Sequence, residues 1–130
     1  MDPSFPPGFN IDQPICAIDF DGVLHDDHLG FHDGTCYGAV ISGSADALRS
    51  ISETFKIVVF TAKAKKDRPL VGGKTGTELV WMWLEEKGLS NFVSDVTAEK
   101  PRAFIYIDDR GFRFTDWRST MTFLRDLETM

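Results

Sequence analysis

The chain has 130 residues, of which 42% are hydrophobic and 26% charged, with a formal net charge of -6 at pH 7. That supplies a single domain with its own core, and it argues against a broad nucleic-acid-binding surface, which needs clustered Lys and Arg to displace counterions. Cys16 and Cys36 are too few for a disulfide framework, no apolar stretch approaches the ~20 residues of a membrane span, and Pro3, Pro6, Pro7 and Gly8 stand where a signal peptide needs a basic start and an apolar stretch, so a reducing, cytoplasmic setting is expected.

Residues 1–13 are expected to form a Pro-rich arm and 14–130 a single domain. Ile15-Cys16-Ala17-Ile18 is an apolar run of strand length, and it delivers Asp19-Phe20-Asp21-Gly22. The two carboxylates leave the strand end pointing the same way, and Gly22 releases the backbone into a turn. Anions held this close repel unless a cation or a proton lies between them. The segment 23–42 carries His25, His28, His32, Asp26, Asp27, Asp33 and several glycines, too many turn formers for a long helix, and predicts a hairpin-like flap.

Ser44 is expected to cap a helix with Ala45, Leu48, Ile51 and Phe55 at helical spacing. The run Lys56–Phe60 predicts the second strand, ending at Thr61. The cations Lys63, Lys65, Lys66, Arg68 and Lys74 follow, at a rim suited to capture of a phosphorylated substrate. Thr77 to Lys87 predicts a helix stopped by Gly88, with a wide apolar face of Leu79, Val80, Met82, Trp83 and Leu84, and with Trp81 half exposed off that arc.

An extended piece around Asp95-Val96-Thr97 precedes Lys100, where Pro101 discourages helix. Ala103–Ile107 predicts a further strand ending in Asp108-Asp109. Thr115 or Asp116 then starts a helix with Trp117, Met121, Leu124 and Leu127 on one side. Strands alternating with helices predict an α/β fold, a three-layer sandwich with a Rossmann-like, mainly parallel sheet. In such a sheet the C-terminal strand ends line one crevice, so Asp19, Asp21, Thr61, Lys100 and Asp108 converge although they are far apart in sequence.

Two other signals are discounted. Gly73-Lys74-Thr75 is similar to the end of a phosphate-binding P-loop, but Arg68 stands where the first glycine is required. His25, His28, His32 and Cys36 lack a paired Cys or His zinc framework, so a polar flap is the better account, with His25 close enough to the first strand to touch substrate.

In order and spacing the constellation resembles the haloacid-dehalogenase-like superfamily of aspartate-nucleophile phosphohydrolases, whose four motifs map onto Asp19/Asp21, Thr61, Lys100 and Asp108/Asp109. The resemblance implies a phosphomonoesterase working through an aspartyl-phosphate. Asp19 would be the nucleophile and Asp21 the acid and then the base. Mg2+ would be held by Asp19, the Asp21 carbonyl and Asp108, with Asp109 a second ligand or reached through a water. Thr61 and Lys100 would steady the phosphoryl group, and backbone donors of Phe20 and Ala62 would help.

Neither interval between motifs has room for a large cap domain, so an open, capless crevice is expected. Ile107-Asp108-Asp109-Arg110 and the charged loop after Thr61 are locally similar to the phosphatase domain of phage polynucleotide kinase-phosphatase. That likeness implies Lys63 and Arg110 as contacts to a nucleotide or nucleic-acid end phosphate. The competing assignments are a phosphoaspartate receiver-like signalling domain, which places its phosphorylated Asp elsewhere in the order, and a binding module that keeps the scaffold without turnover.

Overall fold

The structure, a computed structural model, describes residues 14–108 and 112–128. The arm over 1–13, Asp109, Arg110 and the side chain of Leu127 lie outside the described residues. Among the described residues five strands form one parallel sheet: β1 Ile15–Asp19, β2 Lys56–Phe60, β3 Val93–Thr97, β4 Ile105–Asp108 and a two-residue β5, Phe112–Arg113, in the order β3-β2-β1-β4-β5. The α-helices of the described residues are α1 Ser44–Ser52, α2 Gly76–Glu86 and α3 Trp117–Glu128. Among the described residues no helix is long and apolar enough to cross a membrane.

Strand alternation sorts the core. Cys16, Ile18 and Phe20 share one face with Ile57, Val59, Ile105 and Ile107, and buried residues of all three helices join that same cluster. Full burial of each such aliphatic side chain is worth about 1.5–3 kcal/mol. The opposite face presents Ala17, Val58, Phe60 and Tyr106. There Tyr106 Oη donates to the Pro101 carbonyl at 2.6 Å and accepts from the Ala103 N–H at 3.0 Å, which straps the 98–104 segment against the sheet.

Among the described residues, then, buried side chains of all three helices join the cluster that contains Cys16, Ile18 and Phe20, and the 98–104 strap lies against Tyr106, in an α/β arrangement compatible with a Rossmann-like fold. A doubly wound sheet places its opposite-face helix in the connection that returns past the first strand. Here that connection, from β3 to β4, is short and carries Pro101, so it stays irregular.

Local details differ from expectation where tertiary packing overrides pattern. Gly43, with φ 91°, occupies the N-cap of α1, and Ser44 is its first helical residue; the Ser44 hydroxyl accepts from Trp117 Nε1 at 3.0 Å, tying α1 to α3. Ala47 rather than Ala45 faces inward, and Phe55 is buried beyond the helix end. Thr75 starts α2 with a reciprocal capping box to Glu78. Met82, expected on its apolar face, is 48% exposed, while Trp83 and Leu84 are buried and Trp81 is half-buried. Asp116 caps α3, its Oδ1 accepting from the Ser119 N–H at 2.7 Å.

The 23–42 segment is hairpin-like as expected. Its limbs meet at an antiparallel bridge between His25 and Val40, flanked by Asp26 N–H to Ala39 O and Ile41 N–H to Leu24 O, both 2.9 Å.

Candidate active site

The strand order reverses at β1. The chain winds outward through β2 and β3, then returns to the other side of β1 for β4, and in open parallel sheets ligands bind beyond the C-terminal strand ends at such a reversal. Asp19 ends β1 and Asp108 ends β4. The β1–β4 register pairs Ile18 with Ile107, so the two aspartates follow on neighbouring strands, whose backbones lie about 4.8 Å apart. On the other flank Asp19 pairs with Phe60, and Thr61 follows it. A cavity of about 220 Å³ at this edge is lined by Asp19, Asp21, Gly22, Val23 and Phe114.

Each group at the edge has an identifiable support. The Asp108 side chain is only 4% exposed, and the Lys100 ammonium lies 2.5 Å from its Oδ2, the cation that a buried carboxylate needs. Lys100 reaches it across the strap face, with its Nζ 4.7 Å from the Tyr106 ring centre. Thr61 is buried, and its Oγ1 accepts from the Lys63 N–H at 3.2 Å, which leaves the hydroxyl proton to donate.

Asp21 belongs by its contacts to the flap. Its Oδ1 is 2.9 Å from His25 Nδ1, and its Oδ2 is 3.5 Å from Lys63 Nζ. The Gly38 N–H donates to His25 Nε2 at 2.8 Å, so that nitrogen is an acceptor and the ring proton sits on Nδ1, where it donates to Asp21. The His25 ring is wholly buried, stacked on Phe20 at 5.0 Å and edge-on to Trp83 at 5.5 Å. Trp83 Nε1 in turn donates to Gly38 O at 3.0 Å. Only glycine fits position 38, because a Cβ there would lie 1.9 Å from the Asp26 carbonyl oxygen.

The structure thus gathers Asp19, Asp21, Thr61, Lys100 and Asp108 at one sheet edge. Asp109 and Arg110 lie outside the described residues. Phe20 is a correction: its N–H, expected to face a phosphate, donates to Phe60 O at 3.2 Å, and its side chain is fully buried as the platform under His25. A residue that continues a parallel ladder spends its N–H there. Ala62 opens the short 3-10 turn Ala62–Ala64 after Thr61, and its carbonyl accepts from Arg68 Nε at 3.2 Å. Of the basic loop, Lys65 and Lys66 are solvated, whereas Lys63 is buried and Arg68 lies 4.0 Å over the Phe31 ring.

The network through His25 and Gly38 escaped the sequence. Its one legible sign was His25 four residues after Asp21, beyond the Gly22 turn. Cys36 sits in the same neighbourhood: burial pushes its thiol up to about 11, with the nearby Lys63 charge acting the other way.

Among the described residues no group of three or more His, Cys, Asp or Glu side chains closes around a point that could hold a metal. The neighbouring carboxylates Asp19 and Asp108 are nonetheless the hard-oxygen donors that Mg2+ takes, and that ion needs only one or two carboxylates when substrate oxygens and waters complete its shell. The donor set fits an open site rather than an all-protein cage. No protein-family model, no curated protein and no solved structure matches this chain.

Proposed function

We propose that the chain is a Mg2+-dependent phosphomonoesterase with a haloacid-dehalogenase-like fold and an aspartyl-phosphate intermediate. The observation that carries this is the pair of adjacent strand-end carboxylates, Asp19 and Asp108, at the reversal of strand order, with Lys100 against the second. The small flap over 23–42, with no inserted domain, supports an open crevice.

The chemistry follows from the groups. An Asp19 carboxylate oxygen attacks phosphorus, the bond from phosphorus to the ester oxygen breaks, and Asp21 gives that oxygen its proton. Water then attacks the phosphorus of the Asp19 acyl phosphate, Asp21 takes the proton of that water, and the bond to Asp19 breaks, releasing phosphate and restoring the Asp19 carboxylate and the protonated Asp21. The Thr61 hydroxyl donates to a phosphoryl oxygen, and Lys100 offsets the negative charge around Asp108. His25 holds Asp21 through Nδ1–H, so the acid and base group keeps one orientation through both steps. A bound Mg2+, held by Asp19 and Asp108, would supply charge neutralisation between the attacking carboxylate and the phosphate dianion.

The test is phosphate release from mononucleotides, sugar phosphates and 3'- or 5'-phosphorylated oligonucleotides, with Mg2+ and with EDTA. At least one class is hydrolysed, and hydrolysis stops in EDTA and in Asp19→Asn while far-ultraviolet circular dichroism is unchanged. Full turnover by Asp19→Asn overturns the proposal.

A further inference from the structure

Lysines keep their ammonium heads in water even when their stems are covered. Lys63 does not. It is 1% exposed, and its Nζ has no hydrogen-bond acceptor among the described residues; it is ion-paired with Asp21 Oδ2 at 3.5 Å and lies 4.6 Å from the Phe31 ring centre. Nor is this a side chain that drifted inward. Its N–H is held by Thr61 Oγ1, and its carbonyl packs so tightly on Gly76 that a Cβ there would lie 1.5 Å from the oxygen. The fold positions a desolvated, hydrogen-bond-deficient cation beside the acid and base group, an arrangement costly to stability unless something is gained by it.

Beside it lies a cavity of about 80 Å³ between the flap and the loop after β2, lined by Phe31, Asp33, Gly34, Lys63, Arg68 and Leu79 among others, larger than a single water requires. Arg68 spends its Nε–H on Ala62 O and keeps its remaining donors, with the guanidinium over Phe31. The Asp33 carboxylate is turned to its own turn, accepting from the Thr35 N–H at 3.0 Å and from the Thr35 hydroxyl. Lys63, Arg68 and the Phe31 ring thus line this space, and the buried Lys63 Nζ links it to Asp21.

The geometry points to this cavity as the seat of a second anionic group carried by the leaving group of the substrate, held by Lys63 Nζ and Arg68. The assignment rests on the phosphatase function above, because it is Asp21 as proton donor that places the leaving oxygen on this side. The substrate class becomes a phosphomonoester with a further phosphate in the part released, a bisphosphate or a nucleotide chain end, rather than a simple neutral alcohol ester. Phe31, at the flap tip, is the wall that must yield to admit it.

Two measurements on the full chain separate this inference from the function it builds on. In EDTA, where the carboxylate edge repels anions, titration with inorganic phosphate followed by backbone amide NMR shifts should give saturable changes at Phe31, Gly34 and Lys63. Affinity should fall roughly tenfold or more in Lys63→Met and in Arg68→Gln, the loss expected for one charge-assisted hydrogen bond. With Mg2+, fructose 1,6-bisphosphate or adenosine 3',5'-bisphosphate should exceed the matching monophosphate in kcat/KM, and Arg68→Gln should narrow the gap. Absence of saturable shifts, or shifts unchanged in the variants, overturns the inference, as does equal use of mono- and bisphosphates. If Lys63→Met does not fold, the exposed Arg68→Gln decides. Lysine-dependent phosphate binding without turnover of any ester would retain the anion site and remove the phosphatase function; turnover without that binding would do the reverse.

Discussion

Asp19, which ends the first strand, and Asp21, just beyond it, are held by different means. Asp19 is placed by the backbone: its register with Phe60 on β2 and its place beside β4 follow from ladder hydrogen bonds, and its neighbour Asp108 is fixed likewise. Asp21, two residues on, is placed by side chains, through a chain running from Trp83 by way of Gly38 and His25. The sheet side of the edge has little freedom to lose, since moving Asp19 means breaking the sheet. The flap side depends on a buried polar network that is specific only while every member is satisfied.

That contrast can be broken at several points, and the size of the effect should follow it. Asp19→Asn removes a group with no substitute and should lower turnover by at least about 10³-fold, with little change in stability. Asp108→Asn, leaving Lys100 without its carboxylate, should cost roughly 10²-fold in kcat, measured as initial rates at saturating Mg2+. On the flap side, Gly38→Ala drives a Cβ into the Asp26 carbonyl and should cost about 1–3 kcal/mol by urea unfolding, the usual range for overpacking.

His25→Gln sharpens the comparison most. It should lower kcat about tenfold or more through loss of a charge-assisted hydrogen bond, while KM changes little, because Asp21 loses orientation rather than substrate contact. Smallest is Thr75→Ala, which removes the α2 cap and should cost about 1 kcal/mol with turnover retained. The same cap holds the Glu78 carboxyl below its ordinary 4.5, chiefly through the Thr75 backbone N–H. Its folded-state value being depressed, its stabilisation is present above pH 4.5 and is lost as pH falls through the lower folded value.

The sequence was most legible where backbone periodicity decides. Apolar runs ending in Asp19, Phe60 and Asp108 identified three parallel strands and the polar groups beyond them, because a strand buried on both faces leaves a continuous apolar signature. Long-range packing was not legible. Lys63 reads as one of five cations at the crevice rim and as a phosphate contact, and only the approach of Gly76 and the flap shows it to be buried. Phe20 reads as a phosphate contact through its N–H until the ladder takes that N–H. The irregular connection from β3 to β4 agrees with Pro101, which discourages helix there, but what covers a sheet face is a tertiary property that no single residue carries. Met82 lies on the arc that periodicity marks as buried, yet it is largely exposed.

The most direct test of the account is to trap the covalent intermediate. In Asp21→Asn, p-nitrophenyl phosphate supplies a leaving group that departs without a proton donor, whereas activation of water for the second step is impaired, so a phosphoryl group should accumulate on the protein. Acid quenching, borohydride reduction and peptide mass spectrometry should then find homoserine at position 19. Phosphoryl transfer to a different side chain, or release of nitrophenol with no adduct in a variant that still turns over, would contradict the assignment of Asp19 as nucleophile.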